Sequence, residues 1–448
     1  MPRQPNIILI NCDDMGYGDP GCYGSPLNET PTLDRMAAEG MRCTDFYMAS
    51  PVCSPSRGGM LTGCYPPRIG FGEFEGQWVL FPGQGVGLHP DEVTIATALR
   101  GVGYATKMVG KWHCGDQPAF LPTNHGFDSY YGLPYSNDMG RQAGDVRFPP
   151  LPLLRDDAVI QQQPDQAALT ERYVEECVRF LREPRDRPFF LYLGHMYVHL
   201  PLYAQEHFLA QSRNGLFGAA MAGIDWSVAV LLHELASLGL DEQTLVIFTS
   251  DNGARGDHGG SNAPLRGGKG TTWEGGQRVP CIMRWPGVIP AGVTCRDIVA
   301  SLDFLPTFAE LAGTSLPADR VIDGHSLCGL LRGESPSPRE EFFYYRMTEL
   351  QAVRRGCWKL HVSRETPELY NLETDIGETT NIAADHPKIV ADLQARLDAC
   401  RRDLGDSRAG VVGTACRPVG RVENPAPLTA YDPAHPYVVA MYDSRDRG

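Results

Sequence analysis

Four short apolar runs, each followed closely by polar side chains, constrain the fold of this 448-residue chain more than any other feature. The runs lie at 6–11, 104–110, 189–194 and 244–249, and segments with a helical pattern separate them. Strands that alternate with helices predict a parallel sheet with helices on both faces. We therefore expect the α/β class, with a large mixed, mostly parallel sheet sandwiched by helices.

A second pattern begins after the Pro- and Ser-rich stretch 333–341, GESPSPREE. Short strand-like segments then follow closely on one another, and a helical segment covers about 387–403. This order predicts a smaller C-terminal α+β domain on an antiparallel sheet. The expected divisions are a large domain over 1–335, this small sheet-plus-helix domain over 336–404, and a tail over 405–448 that packs back on the surface.

Local signals predict one short helix and two loop-rich stretches. Ser54 is a favoured N-cap residue and Pro55 suits a first helical turn, so a helix is expected over 54–63. Residues 132–165 are rich in Pro and lack a clear period, which predicts a long surface excursion. Together with 65–90 and 203–215, this stretch is expected to form the rim of a pocket, because specificity usually lies on loops.

Composition excludes several functional classes. The formal net charge of −14 is the opposite of the basic face that nucleic-acid binding needs, so no nucleic-acid partner is expected. No run of eighteen apolar residues occurs, so neither a transmembrane helix nor a membrane partner is expected. The thirteen Cys include no C-x-x-C pair, which favours reduced thiols over a disulfide framework or a structural zinc site.

The first residues bear on the cellular compartment. Their apolar stretch covers only 7–10 and two Asp follow soon after, which is too short for the core of a signal peptide. The sequence therefore predicts a cytoplasmic protein, whereas a chain trimmed at its N-terminus would fit the periplasm.

Polar side chains follow all four apolar runs, at the point where each predicted strand ends. Since ligands of open α/β sheets bind at the carboxyl ends of the strands, these residues are expected to share one site. Each junction alone also fits an ordinary cap or turn, and the mixed charge of all four favours the common site. In the order of the runs, the residues are Asp13 and Asp14, Lys111 and His113, His195 and His199, and Asp251 and Asn252.

The acidic junctions predict a site for a hard cation. Asp13 and Asp14 provide carboxylates after the first run. Asp251 and Asn252 add a carboxylate and an amide after the last run, and no His is interleaved as a zinc site would favour. Such a set of oxygen donors suits Ca²⁺ or Mg²⁺. The alternative is that the first pair caps a helix and that the segment 251–253, DNG, forms a turn.

Residues 53–63, CSPSRGGMLTG, predict an anion site. Cys53 lies beside the N-terminus of the expected helix, where free N–H groups favour an anion, and Arg57 follows about one turn later. The alternative is an ordinary N-cap with a buried Cys. Only five of the 40 basic residues are Lys, and two of them, Lys111 and Lys269, fall in motif-like segments. An ammonium group can lose a proton where a guanidinium cannot, which favours a chemical role over chance.

Six segments taken together resemble the formylglycine-dependent type I sulfatases, the arylsulfatase A-like group of the alkaline phosphatase superfamily. They are 6–19 (NIILINCDDMGYGD), 52–63 with its C-x-P-S-R core, 109–113 (VGKWH), 198–201 (VHLP), 248–253 (FTSDNG) and 264–280 (PLRGGKGTTWEGGQRVP). A later segment, 368–381, resembles the C-terminal signature of the family. The resemblance implies an alkaline phosphatase-like fold in which the large domain, 1–335, is the catalytic sulfatase domain.

The resemblance also implies a built-in modified residue and a metal ion. In the family, the Cys that matches Cys53 is oxidised to formylglycine by a dedicated formylglycine-generating or maturase enzyme. One oxygen of the hydrated aldehyde, a gem-diol, then attacks the sulfur of a sulfate ester. A Ca²⁺ ion, or Mg²⁺ in its place, would polarise the sulfate. The implied metal ligands are Asp13, Asp14, the modified Cys53, Asp251 and Asn252.

Further roles carry over position by position. Arg57 and Lys111 would hold the diol and the sulfate charge, and His113 would take a proton during release. His199 and Lys269 would contact the ester and protonate the leaving oxygen as general acids. Three other histidines receive no role: His195, His258 and His325.

The implied activity is hydrolysis of a sulfate monoester, either an aryl sulfate or a sulfated carbohydrate as in bacterial relatives. Ser136 falls where the family places a contact to the sulfate group. The small anionic ester and the modifying enzyme are the expected partners, and a homo-oligomer is compatible with the sequence.

Two alternative functions stay open. A formylglycine-dependent phosphonate monoester or phosphodiester hydrolase would also act on a tetrahedral oxyanion, although the neutral amide of Asn252 and a single metal fit a sulfate ester better. A catalytically silent binder of sulfated ligands would result if Cys53 were never oxidised. The two enzymes would differ in their relative kcat/KM for matched sulfate and phosphonate esters.

Overall fold

The computed structural model describes residues 4–142, 144–439 and 442. The strands, numbered in chain order, are β1 (Asn6–Cys12), β2 (Met41–Cys43), β3 (Phe46–Tyr47), β4 (Val86–Gly87), β5 (Ala105–Gly110), β6 (Ser129–Gly132), β7 (Pro152–Arg155), β8 (Ala158–Gln162), β9 (Phe189–Gly194), β10 (Thr244–Ser250), β11 (Cys281–Arg284), β12 (Val293–Cys295), β13 (Val299–Ala300), β14 (Glu341–Arg346), β15 (Glu349–Arg355), β16 (Trp358–His361), β17 (Glu368–Asn371) and β18 (Gly420–Arg421). The α-helices are α1 (Pro31–Glu39), α2 (Cys53–Thr62), α3 (Ile95–Arg100), α4 (Leu169–Arg182), α5 (Glu206–Gln211), α6 (Gly215–Ser237), α7 (Glu274–Gln277), α8 (Phe304–Ala312), α9 (Cys328–Leu331), α10 (Pro387–Leu404) and α11 (Pro436–Val439).

A mixed sheet of ten strands forms the centre, in the order β12-β2-β11-β10-β1-β9-β5-β6-β7-β8. The five central strands, β10 to β6 in that order, are parallel, and antiparallel strands join them on both sides. Along β1, Ile7 and Leu9 face one apolar core, whereas Ile8 and Ile10 face another. Because successive side chains of a strand point to opposite faces, this continuous apolar run needs cover on both sides.

Helices provide that cover. Helices α1, α4 and α6 pack on one face of the sheet, and α2, α3 and α8 pack on the other. The predicted α/β fold, a large mixed and mostly parallel sheet between helices, is therefore confirmed. Within the described residues, α6 is the one helix long and apolar enough to cross a membrane, but 67% of its apolar window is buried in the core. Its contacts with α1, α4 and α5 account for its apolar character.

A smaller antiparallel sheet follows in the chain, as predicted. Strands β14 to β17 pair in sequence order, and α10 packs against β15. Leu393 and Leu397 of the helix join Phe342 of the sheet in a third apolar core. The described part of the tail returns to the larger unit, where β18 pairs with β4 and the Arg417 N–H donates to the Arg68 carbonyl at 2.6 Å.

The prediction of a surface excursion over 132–165 is wrong. Strands β7 and β8 form a hairpin that extends the large sheet beside β6, and residues 131–140 are buried. Proline masked the strand pattern, because Pro152 stands at the first residue of β7, a position that strands tolerate.

The predicted start of the short helix is also wrong, by one residue. Helix α2 begins at Cys53 and has Val52 as its N-cap, so Ser54 does not cap it. The Ser54 hydroxyl instead accepts a hydrogen bond from the Leu80 N–H at 3.1 Å. The Ser54 side chain therefore stabilises the loop that contains Leu80 and does not cap the helix. A local sequence pattern does not reveal such a contact.

Candidate active site

The four strand ends meet at one edge of the large sheet. Strands β10, β1, β9 and β5 are adjacent and parallel, so the residues that follow them lie side by side. Helix α2 begins at the same place, and a loop before α7 adds a lysine. All the predicted site residues are brought together there: Asp13, Asp14, Cys53, Arg57, Lys111, His113, Ser136, His199, Asp251, Asn252 and Lys269.

Arg57 joins the ends of β1 and β10. Its guanidinium is fully buried, with Nη2 3.0 Å from Asp13 Oδ2 and Nε 2.8 Å from Asp251 Oδ2. The third nitrogen, Nη1, donates to the Lys111 carbonyl at 2.8 Å. Lys111 Nζ in turn lies 2.5 Å from Asp13 Oδ2. Two cations and two carboxyl groups thus face one another inside the protein, and such pairing is what makes buried charge tolerable.

Asp14 is the centre of a second group of contacts. Lys269 Nζ donates to Asp14 Oδ2 at 2.9 Å, and Asn252 Nδ2 donates to Asp14 Oδ1 at 2.7 Å. His199 Nε2 lies 3.8 Å from Asp14 Oδ2. Asp14 has φ of 60° and His113 has φ of 59°, in the left-handed region that residues other than Gly seldom adopt. Backbone of this kind is concentrated at functional sites.

Ser136 and His113 lie on the Lys111 side of the site. Lys111 Nζ donates to Ser136 Oγ at 3.2 Å, and the same oxygen lies 3.4 Å from each ring nitrogen of His199. His113 Nε2 is hydrogen-bonded to the Leu80 carbonyl at 2.9 Å. Its Nδ1 has no partner among the described residues and is available to a ligand.

A cavity of about 60 Å³ lies between these side chains. The stretches 65–90 and 132–165 contribute to its wall, as expected of the pocket rim, whereas the predicted stretch 203–215 contributes none of the wall residues. No local pattern distinguishes Trp78 or Asp138 from its neighbours, so these two wall residues were not predicted. The wall consists of Val52, Cys53, Trp78, Val79, Phe81, His113, Ser136, Asp138, Met139, His199 and Lys269.

Cys53 is buried in the centre of the cluster. Its side chain is 2% exposed, and its Sγ lies 3.5 Å from Asp13 Oδ1. Burial, and then the charge of Asp13, raise the pKa of the Cys53 thiol well above its ordinary value. Since the thiolate rather than the thiol is the nucleophile, the unmodified side chain is poorly suited to attack a substrate.

The three carboxyl groups differ in charge state. Burial raises the pKa of Asp13, but the surrounding cations, Lys111 foremost, outweigh it and hold that pKa well below the usual range. Burial is likewise outweighed at Asp14, chiefly by Lys269, so its pKa is lowered. Burial and the nearby charge of Asp13 raise the pKa of Asp251 to about 7. Asp13 and Asp14 are therefore ionised at neutral pH and suit a cation.

The two histidines of the site are neutral at pH 7. Burial, and then the charge of Lys111, lower the pKa of His113 well below its usual value. Burial and Lys269 lower the pKa of His199 in the same way. His195 is also buried, which lowers its pKa to about 4, but it is not part of the cavity wall. Two further histidines without a predicted role lie outside that wall too: His258 and His325.

The donor atoms of the site fit a metal ion. One ligand atom from each of Asp13, Asp14, Cys53 and His199 lies within 4.8 Å of the others, so three of the five predicted ligands are grouped directly. Asn252 Oδ1 is buried and has no hydrogen-bond partner in the described chain, and a cation would satisfy it. The Asp251 oxygens accept from Arg57 Nε at 2.8 Å and from the Asp14 N–H at 3.3 Å.

Comparison with known proteins assigns the family. A family model described as Sulfatase matches residues 5–314, and a second, described as N-sulphoglucosamine sulphohydrolase, C-terminal, matches 268–403. The chain belongs to the sulfatase family, within the alkaline phosphatase superfamily. It is a sulfatase enzyme, and the resemblance deduced from its sequence motifs is confirmed.

Individual relatives agree with this assignment. Human arylsulfatase A is 40% identical over 456 residues, which cover 89% of each chain. The N-acetylgalactosamine-6-sulfatase of Canis lupus familiaris is 40% identical over 415 residues, covering 87% of this chain and 79% of that one. The crystal structure of Ps i-CgsB in complex with k-i-k-neocarrahexaose gives a TM-score of 0.82 at 29% identity, over 92% of this chain and 96% of that one.

Proposed function

We propose that this sulfatase hydrolyses a sulfate monoester with an oxygen nucleophile made from Cys53. The observation that carries the proposal is the setting of Cys53, a buried and protonated thiol at the first residue of α2, 3.5 Å from Asp13 Oδ1. A dedicated enzyme with its own oxidant would convert the side chain to the aldehyde of formylglycine, with loss of the sulfur. The hydrated aldehyde would carry a hydroxyl oxygen that acts as the nucleophile, a role for which the protonated thiol is poorly suited.

Asp13, Asp14 and Asn252 are proposed to hold Ca²⁺, together with Asp251 and the new oxygen at position 53. Ionised carboxylates and an amide oxygen are the donors that hard cations prefer, and Mg²⁺ is the alternative ion. When bound, the ion polarises a sulfate oxygen and lowers the pKa of a hydroxyl beside it. The orphaned Oδ1 of Asn252 supports this set, because an unpaired buried acceptor is costly.

Positive side chains on the Asp13 side are suited to binding the sulfate group. Arg57 and Lys111 are buried there, and Lys111 Nζ also reaches Ser136 Oγ. Fixed positive charge in a dry site stabilises the charge that develops on the sulfate oxygens. His113, neutral and with a free Nδ1, is assigned the role of taking a proton as sulfate leaves.

Protonation of the leaving oxygen is assigned to the Asp14 side of the cavity. Lys269 and His199 both line the cavity, and both lie near Asp14 Oδ2. Each is within reach of an ester whose sulfate group is held beside Cys53 and Lys111. We assign Lys269, which is protonated at neutral pH, as the general acid for the departing alcohol, and His199, which is neutral, as a contact that donates a hydrogen bond to the ester oxygen.

The proposed substrate class is the sulfate ester of an aromatic or carbohydrate alcohol. Trp78 and Phe81 form an apolar part of the wall beside Cys53 and Lys269, and Trp78 is 39% exposed. An exposed indole face stacks on an aryl ring and equally on the apolar face of a sugar. This wall supports either alcohol over a simple alkyl chain.

Mass spectrometry of the tryptic peptide 43–57, from protein made in its native host, tests the nucleophile. The aldehyde mass is expected at Cys53. A peptide that carries only the thiol mass would remove the proposed mechanism and leave the silent binder of sulfated ligands.

Matched aryl sulfate and aryl phosphonate esters with the same leaving group test the reaction. The sulfate ester is expected to have the higher kcat/KM. The opposite order would make the protein a phosphonate hydrolase. No turnover of either ester by aldehyde-bearing protein would leave only ligand binding.

A further inference from the structure

Lys269 lies on a loop that has little regular structure of its own. Glycines flank the residue, and Gly267 and Gly270 have φ of 75° and 79°. The Lys269 N–H donates to the Ala254 carbonyl at 3.1 Å, and the Gly270 N–H donates to the Pro51 carbonyl at 2.9 Å. Because Gly adopts many conformations at low cost, these flanking positions leave the loop dependent on contacts from other parts of the chain.

The small antiparallel sheet provides such contacts on the C-terminal side of Lys269. Lys359 of β16 donates to the Thr272 carbonyl at 2.9 Å, and it forms ion pairs with Glu274 at 2.9 Å and Glu378 at 2.8 Å. The three charged side chains are fully buried. Buried ion pairs contribute little net stability, so their clearest effect here is to fix the backbone that Lys359 holds.

Arg346, the last residue of β14, contacts the loop closer to Lys269. Its Nε donates to the Gly270 carbonyl at 3.0 Å. The side chain is exposed, and no carboxylate within the described chain forms an ion pair with it. Gly270 also touches the cavity wall, since a Cβ at this position would lie 3.0 Å from Trp78 Cζ3. Gly270, one residue from Lys269, thus lies close to Trp78 of the wall and has its carbonyl held by Arg346 of the small sheet.

We propose that Arg346 is a positioning residue for Lys269, and that the small sheet acts on the reaction through this contact. The inference rests on the proposed role of Lys269 as a proton donor to the leaving oxygen. Arg346 holds the carbonyl of the next residue, which keeps Lys269 Nζ beside Asp14 and the ester. Without it the Gly-rich loop gains conformations, and a misplacement of about 1 Å costs a catalytic group up to about 100-fold in rate.

Two sulfate esters that differ in the pKa of the leaving alcohol provide the test. An activated aryl sulfate needs little protonation of its leaving oxygen, whereas a sugar sulfate needs much. For Arg346→Ala we expect kcat to fall about 10- to 100-fold on the sugar sulfate and less than about 3-fold on the activated ester, with KM nearly unchanged. Lys269→Ala is expected to show the same dependence on the leaving group more strongly.

Arg355→Ala is the matched control. Arg355 lies on the next strand and pairs only with the surface carboxylates Glu340 and Asp392 among the described residues. Its removal is expected to change kcat for either ester by no more than about 2-fold. The two variants should also have similar melting temperatures. An equal loss on both esters in Arg346→Ala, or rates like those of Arg355→Ala, would overturn the inference.

The double variant Arg346→Ala/Lys269→Ala decides whether Arg346 acts through Lys269. When one residue acts through another, the effects of their substitutions on the rate do not multiply. The double variant is therefore expected to be no slower than Lys269→Ala alone. Fully multiplied losses would contradict the inference while leaving the proposed function intact. No turnover of either ester by aldehyde-bearing wild-type protein would overturn both.

Discussion

Cys53 and Cys177 are both buried free thiols, but of the two only Cys53 has its sulfur against a carboxylate of the site. Cys177 belongs to α4 and lies in the apolar core. If the group at position 53 is the nucleophile, Cys53→Ala should lower kcat by roughly 10³-fold or more, whereas Cys177→Ala should keep the wild-type rate. Turnover of an aryl sulfate by both variants measures this, and a wild-type rate in Cys53→Ala would refute the assignment.

A substitution at Asn252 tests the proposed metal site by the affinity for Ca²⁺, with no need to measure catalytic rates. Asn252→Leu keeps the size of the side chain and removes the orphaned Oδ1, so Ca²⁺ affinity is expected to fall by about 10- to 100-fold. Calorimetric titration with Ca²⁺ measures the change. Gln277→Leu is the control, because Gln277 is also a buried amide whose oxygen has no partner in the part of the chain that the structure describes, but it lies on α7. Equal Ca²⁺ affinity in Asn252→Leu and wild-type protein would exclude this ligand.

The grouping of the candidate site residues at one edge of the sheet could be predicted from the sequence, but their pKa values could not. Asp13 and Asp251 follow strands that run parallel, and the ends of parallel strands meet at one edge of a sheet. The pKa of Asp251, which burial and the nearby charge of Asp13 raise to about 7, depends on three-dimensional distances between residues far apart in the chain. Trp78 likewise reaches the cavity through the path of a long loop.

The packing of helix α2 explains why two glycines, Gly58 and Gly59, follow Arg57 in the sequence. All ten residues of the helix are buried. A Cβ on Gly58 would lie 2.5 Å from Phe71 Cδ1, and one on Gly59 would lie 3.0 Å from Ala49 Cβ. By helix propensity alone, two glycines would weaken the helix. The structure gives a reason for them, since they let the helix approach its neighbours closely.

Gly58→Ala should therefore destabilise the protein despite the better helix propensity of Ala. Overpacking against Phe71 is expected to lower the free energy of unfolding by about 1–3 kcal/mol. Gly223 of α6 is the control, because a Cβ there meets its nearest neighbour at 3.6 Å. Gly223→Ala is expected to stabilise by about 0.5–1 kcal/mol. Denaturant unfolding of both variants measures these changes in the free energy of unfolding. A Gly58→Ala protein more stable than wild type would show that the Phe71 ring moves to make room for the new Cβ.

Other elements show where local patterns mislead. The strands β1, β5, β9 and β10 were recognisable because each is a short apolar run bounded by polar residues. The hairpin of β7 and β8 was not, since it is an edge addition with a proline in its first strand. The predicted N-cap of α2 was wrong for another reason. The Ser54 hydroxyl accepts a hydrogen bond from the N–H of Leu80, a distant residue that a local pattern does not include.

At the scale of the whole molecule, the proposed metal site joins Asp13 and Asp14, which follow β1, to Asp251 and Asn252, which follow β10. An ion that binds only the folded chain stabilises it, by about 2.7 kcal/mol at a concentration 100 times its Kd. Thermal unfolding with Ca²⁺ and with a chelator is expected to show this difference, and parallel runs with Mg²⁺ identify the preferred ion. The net charge of −14 attracts cations non-specifically. Asn252→Leu has the same charge, so a Ca²⁺ shift equal to the wild-type shift would exclude Asn252 as a ligand of the ion.

The architecture as a whole was predictable because it follows from order and periodicity. Alternating strands and helices predict the large sheet, and the run of strands before α10 predicts the small one. The contacts between the two units were not predictable. Arg346 meets Gly270, and Lys359 meets Thr272, through pairs that are about 76 and 87 positions apart, and only the packing of the small sheet beside the loop brings them together.

The burial of Cys53 determines whether the proposed modification can occur before or after the chain folds. With 2% of its surface exposed, at the start of a helix whose every residue is buried, this side chain is out of reach of any second enzyme once folding is complete. If Cys53 is converted to formylglycine as proposed, the conversion would have to take place before α2 folds. Conditions that slow folding would then raise the modified fraction, and a host in which the chain folds too quickly would accumulate folded molecules without the proposed nucleophile.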